Sequence, residues 1–215
     1  MKVLEKERKS LIFSKNSCYL CGKDGELKYN LCPNCIEFLD EFRELKNLHL
    51  NYLDEVYVAY KYRGVVKDMI ISFKFKDDLY LKSGFGEILS EIILNHDLQK
   101  GVLAFVPMER GEYNKRGYNQ CEILAKEVSK STGMEMTKLL KKIKKTKRQV
   151  GLGYEERQEN LRGAYEFKGD LTARDVVLID DILTTGATGD ECAKTLKEKG
   201  ASKVSLIVLA SLAFY

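Results

Sequence analysis

Two hydrophobic periods succeed each other along the chain, and together they predict an α/β fold. Continuous apolar runs, typical of strands buried in a parallel sheet, occupy residues 102–106, 176–179 and 204–209. Apolar positions that alternate with other residues predict one further strand, at Val56, Val58, Tyr60 and Tyr62. Apolar residues three or four positions apart predict helices over 66–73 and 85–93 and one at 123–128 that stops at Gly133. A further helix is expected after the loop that follows the apolar run at 176–179, and it ends at Gly200. Strands that alternate with helices favour a mostly parallel sheet.

The first 50 residues follow a different pattern, which indicates a small appended module. Apolar residues recur there at every third position and predict an amphipathic helix, at Ile36, Leu39, Phe42 and Leu45. We therefore expect a module at 1–50 and a sheet domain at 51–215. Inside that domain, residues 134–163 are polar and basic, and they are long enough to form a functional flap.

Composition places the chain among globular proteins. Of its 215 residues, 44% are hydrophobic and 32% are charged, with only two prolines. This excludes a disordered or collagenous chain. The apolar stretch at 204–215 contains serines and is too short to span a bilayer, and no signal peptide is indicated at the start. A soluble, cytoplasmic protein without a membrane span is expected.

The net charge of +4 is concentrated in one segment. Six of the eight residues from Lys141 to Arg148 are basic. Such a run is typical of a solvated surface loop, because like charges repel one another. Its alternative role is an anion site for phosphates or for a nucleic-acid backbone, carried by Lys144, Lys145, Lys147 and Arg148.

Four of the six cysteines have the spacing of a metal site, at Cys18, Cys21, Cys32 and Cys35. Each Cys-x2-Cys pair can present two thiolates from one tight turn, and two such turns complete a tetrahedral set that suits Zn²⁺. Four protein ligands leave no open position, so the metal would be structural. Free thiols or an iron–sulfur cluster are the alternatives. The other two cysteines, Cys121 and Cys192, are interpreted as small packed residues.

The strongest chemical signal follows the apolar run at 176–179. Asp180 and Asp181 lie at the carboxyl end of this predicted strand, where ligands bind in open α/β sheets. The next residues are small or carry hydroxyl groups, and they lead into a helix whose N–H groups favour a phosphate: Thr184, Thr185, Gly186, Ala187 and Thr188. Two carboxylates beside a phosphate require other partners, and sugar hydroxyls and Mg²⁺ are suitable ones.

This segment resembles the phosphoribosyl pyrophosphate (PRPP) motif of type I phosphoribosyltransferases. The resemblance implies that Asp180 and Asp181 contact the ribose hydroxyls and that residues 184–188 hold the 5′-phosphate. It also implies Mg²⁺ bound together with PRPP. For the pyrophosphate, Arg116 is the best candidate, supported by Lys115.

A narrower resemblance covers nearly the whole chain. It rests on the cysteine pairs, the PRPP motif and several short blocks that occur in order, among them Phe73-Lys74-Phe75, Val106-Pro107 and the run from Lys115 to Gln120. Together they resemble the ComF family of competence proteins. Met108 departs from the family, which tends to have a second proline there. The resemblance implies a role in DNA uptake during natural transformation, with single-stranded DNA and a separate helicase or other uptake protein as partners.

Three functional hypotheses follow from these residues. The first is a PRPP-binding protein that handles incoming single-stranded DNA. The second is an active phosphoribosyltransferase with an unidentified acceptor, and the third is a scaffold whose zinc module docks a partner protein. Several side chains have two interpretations each. Lys74 serves a phosphate or packs at the core edge, while Asn119 and Gln120 bind ligand or cap a helix.

Overall fold

A parallel sheet of four strands forms the centre of the molecule. The computed structural model describes residues 17–41, 50–76, 78–146, 159–171 and 174–212. The strands are β1 (Glu55–Lys61), β2 (Val102–Phe105), β5 (Val176–Leu183) and β6 (Val204–Ser211). Their order across the sheet is β1-β6-β5-β2, and every neighbouring pair is parallel. The α/β class with a parallel sheet, predicted from the sequence, is confirmed.

Helices cover both faces of this sheet. Along β5, Val177 and Ile179 face one hydrophobic cluster, whereas Val176 and Leu178 face the other. This alternation follows from the two-residue period of a strand. Three helices pack on the first face, namely α2 (Gly64–Phe75), α3 (Lys82–Asn95) and α5 (Gln120–Thr132). The second face is covered by α6 (Ala187–Lys197).

Shorter elements connect these parts. Helix α4 (Arg110–Arg116) lies between β2 and α5, and 3₁₀ turns occupy Leu79–Leu81 and Leu98–Lys100. Within the predicted flap, β3 (Leu140–Lys142) pairs antiparallel with β4 (Tyr165–Phe167). This ribbon forms because Leu140 and Tyr165 are buried in the second hydrophobic cluster. The first part of the flap is therefore packed on the domain, and residues 147–158 lie outside the described residues.

The cysteine module packs directly against the first face of the sheet domain. Tyr29 and Leu31 belong to the same hydrophobic cluster as helices α2, α3 and α5. The Asn30 side-chain oxygen accepts a hydrogen bond from the N–H of Gly84 at 2.8 Å. A Cβ atom at Gly84 would lie 2.2 Å from that oxygen, so only glycine allows this approach.

The helix predicted around residues 36–45 differs from the one observed. The observed α1 is a single turn, Pro33–Ile36, and Leu39 lies beyond its end. Leu39 still packs against the hydrophobic cluster, which explains the apolar periodicity without a longer helix. Phe42 and Leu45 lie outside the described residues.

The start of α6 is fixed to the segment that enters β1. Asp190 is buried in the first turn of this helix. Its carboxylate accepts hydrogen bonds at 2.8–3.1 Å from the backbone N–H groups of residues 51, 52 and 53. These bonds satisfy an otherwise costly buried charge and hold the helix start in place.

Candidate functional site

The four predicted metal ligands converge in space. The sulfur atoms of Cys18, Cys21, Cys32 and Cys35 lie within 4.8 Å of one another. Cys18 and Cys35 are buried, whereas Cys21 is exposed at the surface. Four cysteine sulfurs in one cluster fit a zinc module, and the cluster can hold a metal such as zinc.

Backbone groups around the cluster favour the thiolate form of Cys18. Burial disfavours the charged form of Cys18, but hydrogen bonds from the backbone of Cys21, Cys32 and Leu20 lower its pKa to about 7. Burial and the neighbouring thiols raise the pKa of Cys35. The thiols thus crowd one another without a cation, and a divalent metal would relieve that repulsion.

A second site lies in a cleft of about 340 Å³ at the carboxyl end of the parallel strands. Strand β5 brings Asp180 and Asp181 into the cleft, and the turn after it brings Thr184, Gly186 and Thr188. Helices α2 and α5 contribute Lys74, Gln120 and Cys121, while the antiparallel ribbon contributes Lys142 and Tyr165. The cleft is at the edge where parallel α/β sheets bind ligands.

Asp181 is the most strongly held residue in the cleft. It is 5% exposed. One of its carboxylate oxygens accepts a hydrogen bond from Gln120 Nε2 at 2.6 Å and lies 2.8 Å from the ammonium group of Lys74. Burial disfavours the ammonium form of Lys74, but the charge of Asp181 outweighs this effect and raises the pKa of Lys74. Lys74 is therefore neither a free phosphate ligand nor a lysine that merely packs at the core edge.

Asp180 is in a less favourable environment. Its Oδ1 atom accepts hydrogen bonds from the backbone N–H of Asp181 at 2.8 Å and from the thiol of Cys121 at 3.3 Å. Burial and the adjacent charge of Asp181 raise the pKa of Asp180 to about 7. Carboxylates with strongly raised pKa values are concentrated at functional sites.

The turn between β5 and α6 has the geometry of an anion cradle. Gly186 precedes the helix with φ of +82°, in the left-handed region that favours glycine. The first N–H groups of α6 have no partner within the helix and carry the positive end of its dipole. Thr185 Oγ1 is buried and has no hydrogen-bond partner within the described part of the chain. A buried hydroxyl without a partner is costly unless a ligand supplies one.

The remaining predicted site residues are less central. Arg116, at the end of α4, donates a hydrogen bond to Gln120 Oε1 at 2.5 Å and does not line the cleft. Lys115 does not line it either. On the basic run, Lys144 lies 3.4 Å from the carbonyl oxygen of Arg162, while Lys147 and Arg148 lie outside the described residues.

Sequence reasoning missed part of the cleft. Cys121 was interpreted as a packed residue, but its thiol contacts Asp180. Lys142 and Tyr165 also line the cleft, although the sequence patterns gave neither residue a place in this site. For Lys142 a signal existed, because an apolar pair at Leu139 and Leu140 next to it indicates an ordered strand. Asn119 caps α5 as one of its interpretations expected, since its side-chain oxygen accepts from the N–H of Cys121.

No helix among the described residues combines the length and the apolar character needed to cross a bilayer.

Comparison with curated proteins finds relatives over most of the chain. Competence protein F of Haemophilus influenzae is 25% identical over 90% of this chain and 83% of its own length. Competence protein ComFC of Streptococcus pneumoniae is 29% identical, with 83% of this chain and 79% of that protein covered. The DNA utilization protein YhgH of Escherichia coli is 24% identical, with coverages of 89% and 82%. No family model matches the chain.

Solved structures give partial likenesses. A glutamine PRPP amidotransferase from B. subtilis matches 65% of this chain and 30% of its own, at 16% identity and a TM-score of 0.44. A purine phosphoribosyltransferase from Pyrococcus horikoshii matches 59% of this chain and 71% of its own. Its identity is 20% and its TM-score is 0.37.

The four-cysteine cluster generates a prediction on metal content. We expect about one zinc ion per purified chain, because four thiolates complete the coordination. Exchanging Cys18 and Cys35 for serine should remove the zinc, measured by inductively coupled plasma mass spectrometry. The matched control is Cys192→Ala, which changes a buried cysteine outside the cluster and should keep the zinc. Full zinc content in the double variant would contradict the assignment.

The raised pKa of Asp180 predicts an unusual pH dependence of stability. An unfolded aspartate loses its proton near pH 3.9, whereas the folded pKa of about 7 keeps Asp180 protonated to higher pH. The charged carboxylate therefore destabilises the fold fully above pH 7, and this penalty vanishes as the pH falls below about 4. Asp180→Asn should raise Tm by about 2 °C or more at pH 8, and by less at pH 4.

Thermal unfolding of both chains across this pH range tests the expectation. Asp97→Asn is the control, because Asp97 is exposed and lies outside the cleft. A stabilisation by Asp180→Asn that is equal at both pH values would contradict the buried charge as its cause.

Proposed function

Because this chain is similar over most of its length to competence proteins, we propose that it is a ComF-family protein that binds PRPP with Mg²⁺ and handles incoming single-stranded DNA during DNA uptake. The observation that carries the proposal is the buried Thr185 hydroxyl, which has no partner among the described residues and lies just before α6, in the turn whose Thr184, Gly186 and Thr188 line the cleft. A phosphate would accept its hydrogen bond. Sugar hydroxyls would donate to the carboxylates.

The two ends of the cleft suit different parts of PRPP. The turn at 184–188 would hold the 5′-phosphate through hydroxyl groups and the first N–H groups of α6. Asp180 and Asp181 would orient the ribose hydroxyls. Because carboxylates repel a phosphate, the phosphate would bind at the turn and the hydroxyls at the acid pair. Mg²⁺ would neutralise the pyrophosphate and help to polarise its bond to the ribose. Carboxylate oxygens in the cleft are the ligand type that this ion prefers.

Cations for the pyrophosphate are supplied by the antiparallel ribbon. Lys142 lines the cleft from this ribbon, and Lys144 and Lys145 follow it along the chain. We place the pyrophosphate on the side of the cleft that Lys142 lines. Arg116 takes part indirectly, through its hydrogen bond to Gln120.

The DNA part of the proposal rests on the relatives and on charge. The curated relatives are named as competence and DNA utilization proteins. A basic track from Lys141 to Arg148 gives this chain a means of following a phosphate backbone. A competence helicase or another uptake protein would be the natural partner at this step. The cytoplasm, whose reducing conditions keep cysteines available as metal ligands, would be the location of this step.

Phosphoribosyl transfer is the second candidate function. It is favoured by the acid pair, because carboxylates facing the cleft place negative charge where positive charge develops on the ribose ring. The bond from the anomeric carbon to pyrophosphate would break, and an acceptor would form the new bond at that carbon. Pyrophosphate release would identify this activity.

Calorimetric titration with PRPP and Mg²⁺ measures the affinity of the chain for PRPP and so tests the proposed ligand. Thr185→Val should weaken PRPP binding by about five-fold or more, because a net hydrogen bond to a charged group is worth ~1.5–3 kcal/mol. The same variant should be at least as stable as the parent without ligand, because valine removes a buried hydroxyl that has no partner.

Thr195→Val, within α6, is the matched control. The Thr195 hydroxyl already donates to the carbonyl oxygen of Glu191, so its loss should leave PRPP affinity unchanged. Asp181→Asn should abolish binding by breaking the ribose contact. If Thr185→Val binds PRPP as tightly as the parent, the phosphate assignment is wrong. A pyrophosphate assay on the same samples separates turnover from binding.

Binding of single-stranded DNA should depend strongly on salt. Changing Lys144, Lys145 and Lys147 to glutamine should reduce the slope of log K against log salt by up to about two, since each neutralised phosphate contributes ~0.7 for a single strand. Fluorescence anisotropy of a labelled oligonucleotide measures this slope. The control changes three exposed lysines outside the basic run, at Lys23, Lys67 and Lys130. An equal loss of slope in the control would contradict a specific track.

A further inference from the structure

One aromatic residue on α2 faces away from the core that the rest of this helix packs against. Val66, Ile70 and Phe73 are buried, but Phe75, at the last position of the helix, is 68% exposed. The guanidinium carbon of Arg116 lies 5.0 Å from the centroid of the Phe75 ring. An exposed ring with a guanidinium group over it gains little from burial, so folding alone does not explain the arrangement.

This pair is connected to the cleft by a continuous series of polar contacts. Arg116 donates to the side-chain oxygen of Gln120 at 2.5 Å. The nitrogen of the same amide donates to Asp181 at 2.6 Å. Lys74, the neighbour of Phe75 on α2, completes the series through its ion pair with Asp181 at 2.8 Å. The guanidinium group is therefore connected to Asp181 through the side chain of Gln120, and the Phe75 ring is on the residue next to Lys74, which pairs with the same carboxylate.

We propose that Phe75 and Arg116 form a stacking platform for an unpaired base of single-stranded DNA, coupled to the PRPP site through Gln120 and Asp181. This inference rests on the proposed function, since it assigns the place where the strand meets the cleft. Aromatic rings and guanidinium planes are the two side-chain surfaces on which unpaired bases stack.

Charge around the platform favours a nucleic acid over an apolar protein segment. Arg116 and the neighbouring Lys115 supply two cations at the end of α4. Lys142 lines the cleft as well. A strand whose base stacks on Phe75 would keep its phosphates near these cations, whereas an apolar peptide would offer them no anion.

The contacts through Gln120 make the coupling reciprocal. A base that stacks on the platform changes the position of Arg116, and hence the hydrogen bonds that Gln120 shares with Asp181. PRPP that engages Asp181 changes the same hydrogen bonds from the cleft side, and hence the position of Arg116. Linkage requires that each ligand change the affinity of the other by the same factor.

The test measures binding of a labelled oligothymidylate by fluorescence anisotropy, with and without saturating PRPP and Mg²⁺. Phe75→Leu should weaken the oligonucleotide about five-fold or more, because one base loses its stacking partner. Phe38→Leu is the matched control, since Phe38 is 63% exposed on the cysteine module. PRPP affinity of Phe75→Leu, measured by calorimetry, should equal that of the parent and so report an intact fold.

Coupling has its own variant. In the parent chain PRPP should change oligonucleotide affinity about five-fold or more, and Gln120→Met should reduce that ratio to near one. Oligonucleotide affinity that is unchanged in Phe75→Leu, or reduced equally in Phe75→Leu and Phe38→Leu, overturns the platform. A parent chain that binds no oligonucleotide overturns both the platform and the DNA part of the proposed function. If PRPP fails to bind while Phe75→Leu alone weakens the oligonucleotide, the platform stands and the PRPP assignment and the coupling fall.

Discussion

The buried ion pair between Lys74 and Asp181 is the interaction on which the arrangement of the cleft depends. A carboxylate at the end of a buried strand is costly without a partner, and so is an ammonium group enclosed by helices. Their pairing offsets both costs at one point. It also joins β5 to α2, while Gln120 joins the same carboxylate to α5. The pair thereby fixes the relative positions of three elements. Asp180 has no such cation within hydrogen-bond distance among the described residues, and burial together with the charge of Asp181 raises its pKa.

The cysteine module contributes to this arrangement from the other end of α2 and α3. Its residues share one hydrophobic cluster with these helices, and the contact at Gly84 has no space for even a methyl group. A metal that orders the module would therefore stabilise the helices that carry Lys74. This makes structural support of the cleft a sufficient role for the cysteines, and a docking role for the module is not needed to explain them.

Patterns in the sequence predicted the elements better than the contacts between them. The strands and the convergence of four cysteines could be predicted because period and spacing are local properties. The acid pair could be placed at a sheet edge for the same reason. The partners of Asp181 could not, because Lys74 and Gln120 are distant in sequence and each had a plausible local role. The strand at 140–142 was not predicted, because the run of lysines indicates a solvated loop. In the structure, burial of Leu139 and Leu140 orders this segment as a strand. The helix expected around 36–45 ends at Ile36 in the described part of the chain, because Leu39 packs against the core from beyond the helix.

The carboxylate of Asp190 has a consequence for ligand binding. The backbone N–H groups of residues 51–53 bind this carboxylate, and they belong to the segment that enters β1, not to a ligand. The start of α6 therefore keeps its position whether or not a ligand is present. An anion that meets the turn at 184–188 therefore finds its donors already ordered. Little conformational entropy is lost there on association, and more of the entropic cost of binding falls on the ligand.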